Sequence, residues 1–222
     1  MKKRNFDCVR GDQGAIEFNF TGAKMMAVGR IILASASPRR SELLRSLGVE
    51  FEAIPSRAEE LHDEWVDVRK LCELNAERKA LEVAERFPEA IVLGADTLVA
   101  LGSRLYGKPA DLAAAKRMLG ELSGRTHEVI TGLCLVNPAS GKRAVFHDLT
   151  RVTFKQLTEA MIESYVSSVE VLDKAGAYGI QERGEMLVEK IDGSFSNVVG
   201  LPVERLSQEF SRWEIPHRLE LT

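Results

Sequence analysis

From Arg30 onward, short apolar runs alternate with longer stretches that carry apolar residues on one helical face. Ile31-Ile32-Leu33-Ala34 is short, apolar and rich in β-branched residues, the pattern of a buried strand. Ser37-Pro38 follows as an N-cap with proline at the first helical position, and Leu43, Leu44 and Leu47 line one face of a helix that Gly48 stops. Phe51 to Ile54 reads as a second strand. Residues 65–87, rich in Ala, Leu, Glu and Lys, read as a helix closed near Pro88. Ile91-Val92-Leu93-Gly94 is another buried strand, and Asp111 caps a helix reaching Leu122. Residues 126–136 and 142–154 flank Asn137-Pro138-Ala139-Ser140-Gly141, a hairpin signal. A helix near 158–167, a strand near 185–191 and a helix from about Pro202 to Phe210 complete the series. Strand–helix alternation with one antiparallel hairpin predicts an α/β fold, a mixed twisted sheet with flanking helices, and no internal repeat is visible.

The first 29 residues do not share this pattern. With Arg30 they carry six basic side chains against Asp7, Asp12 and Glu17, and they show no sustained periodicity. They lack the apolar core of a secretory signal and are too acidic for a transit peptide, so a loosely ordered extension is expected. The whole chain of 222 residues has a net charge of −3 and 45% hydrophobic residues, an ordinary composition for a soluble globular domain. That balance gives no bulk attraction to nucleic acid, and no apolar run approaches the roughly 20 residues that span a bilayer. Cys8, Cys72 and Cys134 are widely spaced, which argues against a thiolate zinc site and for reduced thiols in the cytoplasm. The four histidines form no metal motif, so any metal should be a hard cation on oxygen ligands. His127 and His147 fall in expected strands and read as structural; Trp65 and Trp213 read as packing residues.

Five stretches carry candidate chemistry. Ser35-Ala36-Ser37-Pro38-Arg39-Arg40 follows a strand and opens a helix, where free N–H groups, hydroxyls and guanidinium groups suit a polyphosphate. A plain capped helix with solvated arginines fits the same residues. Gly94-Ala95-Asp96-Thr97 puts an acid directly after a buried strand, at the carboxyl end of the sheet, where it could hold Mg²⁺, activate water or simply cap a turn. Gly102 to Lys108 has the spacing of a phosphate-binding loop, but Pro109 stands where that motif needs a hydroxyl, leaving Lys108 as a point charge only. Asp173-Lys174-Ala175-Gly176-Ala177-Tyr178-Gly179-Ile180-Gln181 is a Gly-rich turn that allows close backbone approach, with the Gln181 amide able to read a base edge. Asn197 to Pro202 reads as an ordinary loop leading into a helix.

Taken in order, the motifs Leu33 to Arg40, Gly94 to Thr97, Gly107-Lys108-Pro109, Leu122 to His127, Asp173 to Gln181 and Asn197 to Pro202 resemble the Maf family of nucleoside triphosphate pyrophosphatases over about residues 30–212. The resemblance implies a domain over 30–215 with a short tail at 216–222, built as two lobes around a central cleft and related to the inosine triphosphate pyrophosphatases. It implies Mg²⁺-dependent hydrolysis of a nucleoside triphosphate to monophosphate and pyrophosphate, with Mn²⁺ or another divalent cation as alternatives. Ser35, Arg40, Lys79 and Lys108 match the family's phosphate-side residues. Glu60 and Asp96 match its acidic pair, which would hold metal and position or deprotonate the attacking water; Glu59 is the alternative to Glu60. Arg39, Thr97 and Gln181 resemble the branch that acts on dTTP and UTP, and they are the residues expected to recognise the base. Val171-Leu172 departs from the Glu-Pro found in many members. A nucleotide-binding regulator of cell division without hydrolysis is the rival reading, and a homodimer is expected only by analogy with the wider fold.

Overall fold

Strand β1 (Ile31–Leu33) lies parallel to β2 (Glu52–Ala53) on one side and to β3 (Ile91–Leu101) on the other. The computed structural model describes residues 29–62 and 66–218. Beyond β1 all pairing is antiparallel: β3 with β4 (Arg104–Tyr106), β3 with β5 (Thr126–Asn137), β5 with β6 (Lys142–Phe154) and β6 with β7 (Val188–Asp192). Among the described residues, the seven strands form a single sheet in the order β2-β1-β3-β5-β6-β7, with β4 attached to β3. The sheet is therefore mixed as expected, but antiparallel pairing extends well beyond the one hairpin at 137–141.

Alternation along β1, β3 and β5 sorts the core. Ile31, Leu33, Leu93, Ala95, Leu133 and Leu135 face helices α1 (Pro38–Ser46) and α6 (Val203–Arg212), joined by Leu44, Leu47, Leu206 and Phe210. Ile32, Val92, Cys134 and Val136 face the opposite way, onto α2 (Val68–Arg86) through Ala76, Ala80 and Val83. A separate cluster fills the other half of the sheet. There Val99, Val129, Val152 and Phe154 meet α3 (Leu112–Leu122), α4 (Glu159–Val166) and the segment from Val171 to Leu187. The clusters on the two halves of this sheet make the two lobes, with the cleft between them.

Local signals explain the ends of the helices. Ser37 caps α1 with Pro38 behind it, Asp67 caps α2, Asp111 caps α3 and Thr158 caps α4. Gly48 ends α1 with φ of +66°. Several expectations need correction. β3 runs on through Leu101 because β5 pairs with it at nine consecutive positions, so Asp96 lies within a strand rather than after one. Asn197 to Val199 are not loop but the end of a short helix, α5 (Phe195–Val199), capped by Ser194. Gly102 turns a hairpin between β3 and β4, which accounts for the false phosphate-loop spacing. The final strand starts at Val188 because residues 184–186 form a 3₁₀ turn. Residues 1–28, which hold nearly all of the expected extension, and Trp65 lie outside the described residues. Pro216 to Arg218 are described, and the Arg218 N–H donates to Leu47 O at 2.7 Å. Among the described residues, no helix is long and apolar enough to cross a membrane.

Candidate active site

The floor of the cleft begins with a close approach. A Cβ on Gly94 would sit 2.2 Å from Ala76 O, and one on Gly132 would sit 2.4 Å from the backbone of Cys72. With both positions glycine, α2 lies directly on β3 and β5, and its side chains at 75 and 79 reach strand β3. Cys72 fastens the contact: its Sγ accepts from Gly132 N at 3.1 Å and donates toward Asp96 O at 3.1 Å. Burial pushes this thiol well above its ordinary range, so it stays protonated.

Asp96 is buried on the α2 face of β3, where β1 has already ended at Leu33 and leaves the carboxylate open to the cleft. Its Oδ1 accepts from Lys79 Nζ at 2.6 Å and its Oδ2 from Asn75 Nδ2 at 3.3 Å. The same Lys79 ammonium donates to Glu60 Oε1, also at 2.6 Å. Burial opposes ionisation of Glu60, but the bond and charge of Lys79, with Lys108 and His62 further off, hold its carboxyl below the usual range. Two carboxylates thus converge on one cation. No group of three or more His, Cys, Asp or Glu converges among the described residues. The donor set suits a hard cation that takes one or two carboxylates and completes its shell with water and substrate phosphates.

One wall is the start of α1. Ser35 Oγ is buried and accepts from Ser37 N at 3.2 Å, and Ser37 Oγ caps the Arg40 N–H. Arg40 turns inward: it donates to Gly200 O and Ala95 O at 2.9 Å each, to Thr97 Oγ1 at 2.9 Å and to Ser35 Oγ at 3.4 Å. Desolvation lowers its pKa, though Asp96 and Glu60 nearby favour the charge. Thr97 Oγ1 also lies 3.0 Å from Thr131 Oγ1, which donates to Asn197 O at 3.1 Å. Arg39 instead reaches across the cleft, with Nη1 3.0 Å from Asp173 Oδ2 and 3.9 Å from Glu182 Oε1.

The opposite wall is the Gly-rich turn. Gly176 has φ of +71°, and a Cβ on Gly179 would meet Lys174 Cε at 2.7 Å. The buried Lys174 ammonium passes beneath this turn to Asp173 Oδ1 at 2.8 Å and Glu182 Oε1 at 3.1 Å. Burial opposes ionisation of Asp173, but Lys174 and Arg39 together keep its carboxyl below the usual range. Tyr178 also faces the cleft, and its hydroxyl lies 2.8 Å from Nε2 of the buried His127. Lys108 and Gln181 are exposed on the cavity lining.

Every sequence-derived site residue, Ser35, Arg39, Arg40, Glu60, Lys79, Asp96, Thr97, Lys108 and Gln181, lines one open cavity of about 870 Å³. Their engagement differs. Lys108 and Gln181 face solvent, whereas Arg40 and Thr97 bond mainly to the protein. Sequence reasoning missed Asn75, the cross-cleft acid Glu182 and the role of Lys174 beneath the turn. Asn75 left a usable signal, since it precedes Lys79 by four residues and shares its helix face. Glu182 left none, because its partner Arg39 is distant in sequence.

A family profile described as Maf-like protein matches residues 30–213. A protein of Bacillus anthracis (strain CDC 684 / NRRL 3495) named dTTP/UTP pyrophosphatase is 48% identical over 186 residues, covering 84% of this chain and 96% of its own. One of the same name from Desulforamulus reducens is 46% identical over 177 residues, covering 80% and 93%. A solved structure, a HAM1 protein from Coxiella burnetii, aligns at a TM-score of 0.46 with 19% identity over 82% of this chain and 98% of that one, a likeness too slight to carry fold or function. With the profile and the close relatives agreeing over the region that builds both lobes and the cleft, this chain belongs to the Maf-like protein family.

Proposed function

We propose that this protein hydrolyses pyrimidine nucleoside triphosphates, dTTP, UTP and modified analogues, to the monophosphate and pyrophosphate. The observation that carries the reading is the Glu60–Lys79–Asp96 arrangement at the floor of a cavity whose rim holds Arg39 and Lys108. The relatives at 46–48% identity are named dTTP/UTP pyrophosphatase, which supports this reaction on dTTP and UTP. Cleavage between the α and β phosphates builds negative charge on the leaving pyrophosphate, and Lys79 and Lys108 offer it cations from the cavity lining. Asp96, held in place from two directions, is the residue to orient or deprotonate a water aligned with the scissile bond. Glu60 and Asp96 would hold Mg²⁺, which when bound supplies further charge neutralisation on the phosphates. Gln181 and Arg39, both on the cavity lining, would recognise the base. The free, buried thiols Cys72 and Cys134 suit a reducing cytoplasm.

The test is pyrophosphate release across canonical and modified triphosphates, with and without Mg²⁺. dTTP and UTP should rank first, and turnover should require the cation. Asp96→Asn and Lys108→Ala should each lower kcat by about two orders of magnitude or more while the circular dichroism spectrum is retained. Near-normal release by both variants would sink the site assignment. The rival, a nucleotide-binding regulator, predicts tight dTTP binding with no turnover at any metal concentration. Light scattering decides whether the protein is a dimer.

A further inference from the structure

Residues 54–62 have no regular structure, yet they must deliver Glu60 to the floor of the cleft. Most of what anchors this segment comes from α2. Arg57 N donates to Glu82 Oε2 at 2.9 Å and Arg78 Nε to Glu59 O at 3.2 Å, both exposed. The buried anchor is Asn75. Its Oδ1 accepts from Leu61 N at 2.7 Å and its Nδ2 donates to Leu61 O at 3.2 Å, so the carboxamide grips both polar groups of the residue next to Glu60. The second N–H of the same amide donates to Asp96 Oδ2 at 3.3 Å. Asn75 is 1% exposed.

Lys79, one turn along α2, joins the same two elements, but by charge, to the side chains of Glu60 and Asp96. A triphosphate, or a cation held by the two carboxylates, competes directly for those contacts. The Asn75 amide is neutral, and its two bonds to Leu61 are to backbone, so its hold on the segment has no such competitor even where a cation draws on its third partner, Asp96 Oδ2. Its bonds are also the better shielded, since Glu60 is partly exposed whereas Asn75 is not.

We propose that Asn75 is a positioning residue: it fixes the Glu60–Leu61 backbone against Asp96, so that both carboxylates keep their relative placement when Lys79 is drawn to substrate. The proposal rests on the pyrophosphatase reading for its consequence in turnover, but not for the tether itself. Misplacing one carboxylate by about 1 Å is enough to slow chemistry on the order of 100-fold while leaving substrate binding to other elements. Arg39, Lys108 and Gln181 lie on α1, the β4–α3 connection and the Gly-rich turn, none of which Asn75 touches.

The experiment measures kinetics and amide exchange on Asn75→Leu, which keeps the volume, and on Asn75→Ala. In both, kcat for dTTP should fall about 10- to 100-fold with KM within about threefold of wild type. In the ligand-free, metal-free protein the Leu61 amide should exchange at least about tenfold faster, with the amides of β3 unchanged. Unaltered exchange at Leu61 in a folded variant, or kcat within about twofold of wild type, would overturn the proposal. Should both variants lose their native circular dichroism, Lys79→Met decides. With Asn75 intact, protection at Leu61 should stay within about twofold of wild type, and its collapse would show that Lys79 is the tether. A wild-type protein that releases no pyrophosphate would defeat the pyrophosphatase reading alone, because the exchange data still judge the tether.

Discussion

Arg39 and Arg40 are neighbours in sequence with opposite assignments. Arg40 uses four of its five N–H groups on Gly200 O, Ala95 O, Ser35 Oγ and Thr97 Oγ1, so it stitches α1 to β3 and to the end of α5. Arg39 forms ion pairs with Asp173 and Glu182, acids that are 50% and 39% exposed, an arrangement worth at most about 1 kcal/mol. Replacing the two should therefore separate stability from substrate binding. Arg40→Lys, unable to reproduce the planar fork, should lower the free energy of urea unfolding by about 2 kcal/mol. Arg39→Ala should leave that value within about 0.5 kcal/mol and raise KM for dTTP instead. A pair of variants with equal loss of stability would contradict the division. The motif Ser37-Pro38-Arg39-Arg40 marked where α1 and the cavity wall begin, because capping and proline are local signals. It could not tell which arginine faces the cleft, since that depends on Gly200 and Asp173, far along the chain.

At the scale of elements, α2 is what brings the site together, and its seat depends on two strand positions without side chains. Gly94→Ala would push a methyl into Ala76 O and Ala80, both belonging to helix backbone or its packed face, so the helix must lift away. The expected cost is about 1–3 kcal/mol in urea unfolding. A further drop in kcat should come with it, because Asn75 and Lys79 move together with the helix. Gly132→Ala should behave similarly through the backbone of Cys72. Restored wild-type kinetics in either folded variant would show that the close approach is not needed to place Lys79. The helix itself was legible from its Ala- and Leu-rich spacing, and so were β1, α1, α3 and the β5–β6 hairpin. The far half of β3 was not. Asp96 and Thr97 interrupt its apolar run, and they are tolerated in a strand because Lys79, Asn75, Arg40 and Thr131 answer their polar groups. Helix α5 was missed for a related reason: five residues are too few to show a period, and its Ser194 cap accepts the Asn197 N–H in a stretch that otherwise reads as turn.

For the whole molecule, the two lobes share a sheet, and the Gly-rich turn that walls the cleft is tied through Tyr178 into the cluster that holds Phe154. Behind it lies His127, 1% exposed, ring to ring with Phe154 at 4.8 Å and with Tyr178 at 5.4 Å. Burial pushes its imidazole down to about 4, while the unfolded chain titrates near the ordinary 6.5. Above pH 6.5 both states hold a neutral ring, so the group adds no pH dependence. As the pH falls below 6.5 the unfolded chain binds a proton that the native core refuses, and stability drops by up to about 1.4 kcal/mol per pH unit until the native ring titrates near pH 4. The carboxyls of Glu60 and Asp173, held low in the native state, add their own loss only below about pH 4.5, near the unfolded carboxylate range. Urea unfolding at pH 7, 5.5 and 4.5 isolates the histidine. The wild-type protein should lose about 2 kcal/mol more than His127→Gln across that interval. Parallel pH dependence in the two proteins would mean that the native ring takes up its proton in the same range as the unfolded chain, and that burial does not hold it neutral.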